Sequence, residues 1–350
     1  MTNGIISNNN NENKANFSYF LALEKLFSEI QERPQGIIKE RYGIKNEKSK
    51  TLEEIGKEHR ITRERVRQII RETLKKLKNK KNGILGEVLS QLAFTLKEKN
   101  GIIKKERLLS QKLEMKERGS LKFFLDLFDE IKFREITKEL DPSWTNSDFN
   151  LADWRKVKNE AKEILEKSQK PLTEKELLSE IRKSGKIDIT EKKLLDYLDV
   201  SSEIKKGNFE KWGLEAWDEI TPKGTREKIY LILKETGKPI HFKEIASLID
   251  KYKLNKKKKT HPQTVHNELI RDKRFILVGR GTYALSEWGY KKGTVKEVIE
   301  DILKKNAEPM EKEKIMNEIL NLRKVKKSTI LINLNNYFQK VGKNSYSLKK

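Results

Sequence analysis

Cysteine is absent from the 350-residue chain, which excludes disulfides and thiolate metal sites. Histidine is nearly absent, with four residues scattered as His59, His241, His261 and His266. His261 and His266 stand five apart, off the four-residue spacing that puts two ligands on one helical face. No metal site, cofactor or small-molecule ligand is expected. A GxxxxGK[ST] phosphate loop is lacking, and Gly279-Arg280-Gly281 reads as a hairpin turn. No apolar run approaches the roughly 20 residues of a membrane span, and the opening residues lack the basic-then-apolar layout of a signal peptide. The expectation is a soluble cytoplasmic protein with no membrane partner. Acidic residues are outnumbered, 53 against 77 Lys and Arg, leaving a net charge of +24. Such an excess points to a polyanion, and association with the nucleoid follows from it. With 35% hydrophobic and 37% charged residues, several small helical domains fit better than one large α/β core.

The densest information lies between Thr51 and Leu77. Thr51 is placed to cap a helix, and Glu54 three residues later completes a capping box. Leu52, Ile55 and Gly56 give that short helix an apolar side. His59-Arg60-Ile61 has the length of a turn, and Thr62 is placed to cap a second helix. Glu64 sits favourably near the positive end of that helix. Along it, Val66, Ile69, Ile70, Thr73, Leu74 and Leu77 recur at steps of three and four, a buried stripe. Arg63, Glu64, Arg67, Gln68 and Arg71 fall on another face. Arginine, glutamine and glutamate are the groups that read guanine, adenine and cytosine edges in a major groove. Lys75, Lys76, Lys78, Lys80 and Lys81 follow as candidates to neutralise phosphates, which positions a protein without specifying sequence. A solvated charged helix is the plain alternative. The coincidence of caps, turn and separated faces favours a helix-turn-helix that binds double-stranded DNA.

These residues resemble region four of bacterial primary sigma factors, the part that binds the promoter −35 element. The resemblance runs over residues 33–79, through Thr51-Leu52-Glu53-Glu54-Ile55-Gly56, Thr62-Arg63-Glu64-Arg65-Val66-Arg67-Gln68-Ile69, and Leu74 and Leu77. Glu32-Arg33 and Ile38-Lys39-Glu40-Arg41-Tyr42-Gly43 resemble the helix ahead of the motif. The resemblance implies base contacts from Arg63, Glu64, Arg67 and Gln68, and RNA polymerase core as a partner. Phosphate contacts are expected from Thr51, Thr62, Arg65, Arg71, Lys75, Lys76 and Lys78. The family usually places glycine in the turn, where this chain has Arg60. Nothing aligns with sigma region two, the part that melts the −10 element.

Beyond Gly83 the chain repeats. Leu96, Leu165, Leu233 and Leu303 anchor four segments spaced 68 to 70 residues apart, the size of a small domain. Each reads as helix, turn, helix, third helix and a short extended pair. Pro171, Pro239 and Pro309 open the turn before the second helix, since proline suits a helix start and not its interior. In the third repeat a helix begins at Thr264. Phe275-Ile276-Leu277-Val278 and Thr282-Tyr283-Ala284-Leu285 then flank a glycine-rich turn, a hairpin signature. Three helices and a hairpin make a winged helix. In the first repeat the hairpin falls between Glu130 and Trp144. Trp217 and Trp288 read as packing residues.

Residues 224–290 resemble the HARE-type helix-turn-helix, which implies a transcription or DNA-transaction setting and no particular activity. Asp126, Asp129 and Glu130 could suggest a nuclease, but their spacing suits a solvated face, and no enzyme is expected. Lys256-Lys257-Lys258-Lys259 reads as a solvated basic loop. The expected architecture is mainly α, a multidomain array of helix-turn-helix and winged-helix units with β-hairpin wings. Its divisions are an asparagine-rich disordered tail (1–16), the sigma-like unit (17–82), and winged units at 83–150, 151–222, 223–290 and 291–350. The expected function is a DNA-binding initiation regulator. A polymerase-associated scaffold with secondary DNA contact and a sequence-neutral nucleoid protein are the alternatives.

Overall fold

The computed structural model describes residues 17–44, 48–79, 83–110, 113–255, 258–290, 293–306, 308–323 and 325–349. The asparagine-rich tail, Lys80, Lys81, Lys256 and Lys257 lie outside the described residues. The described chain divides into two compact units between Lys205 and Lys206. Mainly helical structure is interrupted by short strands, as the sequence pattern predicts.

The first unit begins with α1 (Tyr19–Phe27), α2 (Glu32–Tyr42), α3 (Leu52–His59) and α4 (Arg63–Lys78). The apolar periodicity over 17–32 becomes two helices. Ser18 caps α1 by accepting from the Leu21 amide, and the chain leaves the helix at Ser28. Leu21 is on the outside, 61% exposed, while Leu23, Leu26 and Phe27 are buried. Then come α5 (Gly83–Lys97), β1 (Ile102–Lys104), α6 (Lys105–Leu108), α7 (Met115–Leu127), β2 (Lys132–Arg134) and β3 (Ser143–Thr145). β3 pairs antiparallel with both β1 and β2, Trp144 facing Ile103 and Phe133. Next are α8 (Leu151–Ser168), β4 (Leu172–Thr173), α9 (Glu174–Ser184), α10 (Glu191–Asp199) and β5 (Ile204–Lys206).

Two cores organise the sigma-like part. A small one joins Ile37, Ile55 and Val66, with Leu52, Ile61, Ile69 and Ile70 against it. A large one takes α1, the other side of α2 through Ile38 and Tyr42, Leu77 of α4, and α5 and α7. Phe123 is its centre, with ring centroids 5.6 Å from Phe27, 5.5 Å from Tyr42 and 5.4 Å from Phe124. Edge-on packing of this kind adds about 0.5–1.5 kcal/mol per pair beyond area burial. α2 is therefore held on two sides. Ile37 and Ile38, adjacent in sequence, point into different cores.

The second unit contains β6 (Lys211–Leu214), α11 (Thr225–Thr236), β7 (Ile240–His241), α12 (Phe242–Lys251), α13 (Pro262–Arg271), β8 (Phe275–Gly279) and β9 (Thr282–Leu285). Ser286–Trp288 forms a 3-10 turn, followed by α14 (Val295–Asn306), β10 (Met310–Glu311), α15 (Lys312–Leu322), α16 (Lys327–Tyr337), β11 (Gln339–Val341) and β12 (Ser345–Ser347). β9 runs between β7 and β8, and β12 between β10 and β11, all antiparallel. α13 starts two residues ahead of the expected Thr264, because Pro262 fits its first turn. Arg323, only 4% exposed, ties the last two repeats together. It donates to the carbonyls of Leu277, Val278 and Gly293, and burial holds its basicity below the usual guanidinium range.

The repeat has a physical basis. Leu96, Leu165, Leu233 and Leu303 are all buried anchors. Four residues past the first three, Asn100, Gln169 and Gly237 take left-handed conformations with φ of 52°, 52° and 62°. In each, the chain leaves the helix while an amide at or just after this position still bonds back to the anchor leucine carbonyl. The prolines do not start the second helices directly. A two-residue strand comes between, Leu172–Thr173, Ile240–His241 or Met310–Glu311. Proline is equally at home just ahead of a strand, where no ladder donor is lost.

Candidate nucleic-acid interface

Local chemistry fixes α3 and α4. The Thr51 hydroxyl accepts from the Glu54 amide at 3.2 Å, and the Thr51 amide donates to the Glu54 carboxylate at 2.7 Å, so the predicted capping box forms. The backbone bond from Thr51 holds the Glu54 carboxyl below the usual carboxylate range. Arg60 closes α3 with φ 54°, ψ 43°, the left-handed turn where the resembled family has glycine. Gly56 makes this tight turn possible, because a Cβ there would lie 2.7 Å from the Ile61 carbonyl oxygen. Thr62 caps α4 by accepting from the Arg65 amide at 3.1 Å.

Along α4, Val66, Thr73 and Leu77 are buried, and Ile69, Ile70 and Leu74 pack against the cores. Arg63, Glu64, Arg65, Arg67, Gln68 and Arg71 are exposed. The sequence reading missed how these side chains pair. Arg67 holds Glu64 with two parallel bonds, Nε to Oε2 at 2.8 Å and Nη2 to Oε1 at 2.6 Å. The bond from Arg67 lowers the Glu64 pKa. Arg65 donates to the Gln68 amide oxygen at 3.2 Å. Both pairs span three residues, and that spacing was the available signal. An exposed pair of this kind is worth at most about 1 kcal/mol, so either partner can be exchanged for a base edge at little cost.

The candidate phosphate contacts fall into separate places. Thr51 and Thr62 are exposed at the N-termini of α3 and α4. Lys75, Lys76 and Lys78 sit at the other end of α4, about 20 Å along the axis from Arg63 at 1.5 Å per residue. Lys75 and Lys76 are exposed, whereas Lys78 forms an ion pair with Asp129 at 2.7 Å. Asp126, one turn before, accepts from the Tyr42 hydroxyl at 3.0 Å. These two carboxylates thus link the sigma-like part to the first winged repeat. The chain leading into α3 is braced as well. Arg41 donates to the Lys50 carbonyl, Lys50 pairs with Glu58, and His59 meets Glu40. Among the described residues no group of three His, Asp or Glu side chains is placed to hold a metal ion, and no helix is long and apolar enough to cross a membrane.

Comparison with known proteins matches two parts of this architecture. Residues 26–79 match the family "Sigma-70, region 4". Residues 225–288 match the HARE-HTH family, described as a "restriction endonuclease HTH domain". These are DNA-binding, transcription-related domains. The first match covers α2, α3 and α4, the second α11 to β9. The RNA polymerase principal sigma factor HrdD of Streptomyces griseus is 46% identical over 56 residues, 16% of this chain and 17% of that protein. The RNA polymerase sigma factor RpoD of Helicobacter pylori is 44% identical over 62 residues, 17% of this chain and 9% of that protein. The sigma factor SigA of a Nostoc species is 40% identical over 68 residues, 19% and 17% of the two chains. The chain therefore spans less than a fifth of the length of these relatives.

Proposed function

We propose that this protein is a sigma-factor-like regulator of transcription initiation that reads a promoter −35-type element through α4. The observation that carries the reading is the exposed N-terminal half of α4. Bidentate donors and an acceptor stand there on a helix whose other side is fixed in two cores. Arg63, Glu64, Arg67 and Gln68 contact base edges. Thr51, Thr62, Arg65, Arg71, Lys75 and Lys76 contact phosphates, and Lys78 joins them by exchanging Asp129 for the backbone. The partners are double-stranded DNA and RNA polymerase core, the latter because the matched relatives are named as polymerase sigma factors. The site of action is the cytoplasm, at the nucleoid.

A second reading has support of its own. α13 in the HARE-type unit shows Gln263, Thr264, Asn267 and Ile270 on its outer side, a face with little charge. Such a face suits a protein partner, and a polymerase-bound scaffold would use it. Selection of duplexes from a random pool, with and without core polymerase, tests the first reading. A shared motif that binds the chain alone supports it. Enrichment that appears only with polymerase, or no motif at all, favours the scaffold.

A further inference from the structure

A cationic cleft of 470 Å³ opens in the first unit, away from the exposed face of α4. It lies between the end of α2, the approach to α3, and α6 and α7. Its lining includes Tyr42, Lys48, Ser49, Lys105, Arg118 and Lys122, and no carboxylate. Gly119 sets the closeness of the walls, because a Cβ there would stand 2.6 Å from the Tyr42 carbonyl oxygen. A second hollow continues it past Lys104, Lys105 and Arg118. Lys104 is already paired with Asp141, and Glu106 marks the far rim. The Lys105 ammonium lies over the Phe133 ring at 5.3 Å, and the Arg118 guanidinium donates to the Leu113 carbonyl. Both are thereby oriented.

We infer that this cleft holds backbone phosphates of the same duplex that α4 engages, so that the first winged repeat lengthens the DNA footprint. The inference rests on the DNA-reading assignment of α4. Lys48, Lys105 and Lys122 share a lining that holds no carboxylate. Their ammonium groups repel one another, and an oxyanion relieves that repulsion. Consistent with this, burial pushes the Lys122 ammonium below the usual lysine range. Arg41 and Lys105 add to the shift, and Asp126 opposes it. A backbone phosphate fits better than a free anion because of position. Lys48 and Ser49 on the rim lead directly to Thr51, the N-cap of α3. Three residues span at most about 11 Å, so one strand can touch both the cap and the cleft.

The test uses the full chain with both Lys105 and Lys122 changed to Gln. Affinity for a duplex of about 40 base pairs is measured against salt. A slope shallower by about 1.8, from about 0.9 for each lost phosphate contact, is expected equally on preferred and scrambled sequences. An unchanged slope overturns the proposal. Lys48→Gln lies on an exposed loop and cannot disturb the core. It is expected to reduce the slope by about 0.9, and it decides the matter if the double variant melts early. Arg67→Ala, run alongside, changes the ratio of preferred to scrambled affinity. Loss of slope with no effect of Arg67→Ala would sink the base-reading assignment and leave the cleft. Calorimetry with inorganic tripolyphosphate covers the other source of phosphate. Binding that the double variant abolishes, with the duplex slope untouched, would assign the cleft to a free anion and reject the proposal.

Discussion

α3–α4 and α12–α13 are built on the same frame and finished differently. Each first helix has a capped start, by Thr51 or His241, and a fully buried isoleucine four residues on, Ile55 or Ile245. The next residue is small in both, Gly56 or Ala246. The connections then diverge. Arg60, Ile61 and Thr62 suffice between α3 and α4, whereas residues 252–261 separate α12 from α13. That longer loop is pinned where Thr260 donates to Asp250. The tight turn brings the Ile61 carbonyl onto Gly56, so glycine is obligatory there and alanine is tolerated at 246. The second helices differ in charge. α4 exposes Arg63, Arg65, Arg67, Arg71, Lys75, Lys76 and Lys78, while α13 exposes Arg271 beside neutral Gln263, Thr264, Asn267 and Ile270. One frame can thus carry a face for a polyanion or a face for a protein, and the frame alone does not say which.

The sharpest way to break the comparison is to exchange the small residues. Gly56→Ala is expected to destabilise α3–α4 by about 2 kcal/mol, since overpacking against backbone costs ~1–3 kcal/mol. Ala246→Gly is expected to cost about 1 kcal/mol, through helix propensity alone. Hydrogen exchange at the amides of α3 and α12 reads each locally. Equal costs would show that turn length does not govern these positions. Next in size is Arg67→Ala, which should lower the preference for the selected duplex over a scrambled one by ~1–3 kcal/mol. Equal losses on both duplexes would reduce α4 to a phosphate binder. The turn gives a gain of stability. Arg60→Gly removes a left-handed arginine and should stabilise the sigma-like unit by about 1 kcal/mol. A neutral or destabilising result in denaturant unfolding would mean that the Arg60 side chain makes a contact of equal worth.

Much of the frame could be read locally. The capping box of Thr51 and Glu54, the Thr62 cap and the stripe of Val66, Thr73 and Leu77 depend on residues within a few positions of one another. The third-repeat hairpin was legible for the same reason. What escaped depends on distance along the chain. Phe27, Tyr42 and Phe123 meet across some eighty to a hundred residues, and no periodicity announces that the sigma-like helices and the first winged repeat share a core. The pairing of Lys78 with Asp129 follows from that hidden junction. Gln169 hid the left-handed position that Gly237 and Asn100 advertise, because glutamine carries no turn signal. The polar face of α4 was legible as a set of residues but not as paired groups, since Arg67 could have reached Glu64 or Arg71 at similar spacing.

The smallest expected effect decides how far DNA reading extends. If charge distinguishes the two second helices, then changing Gln263 and Asn267 together to Ala should alter duplex affinity by less than about 0.5 kcal/mol, the ordinary range of surface substitutions. Gln263 donates to the Asn267 amide oxygen at 3.2 Å, so the pair is removed without leaving a buried group unsatisfied. Asparagine and glutamine can bond adenine edges in the major groove, which makes the result informative in both directions. A loss as large as that from Arg67→Ala would make α13 a second reader, and the duplex would have to engage both units of the chain. A loss near zero, with Ile270→Asp abolishing co-purification with core polymerase, would instead place α13 against protein. Ile270 is 65% exposed, so the aspartate costs the fold little and the readout reports the contact.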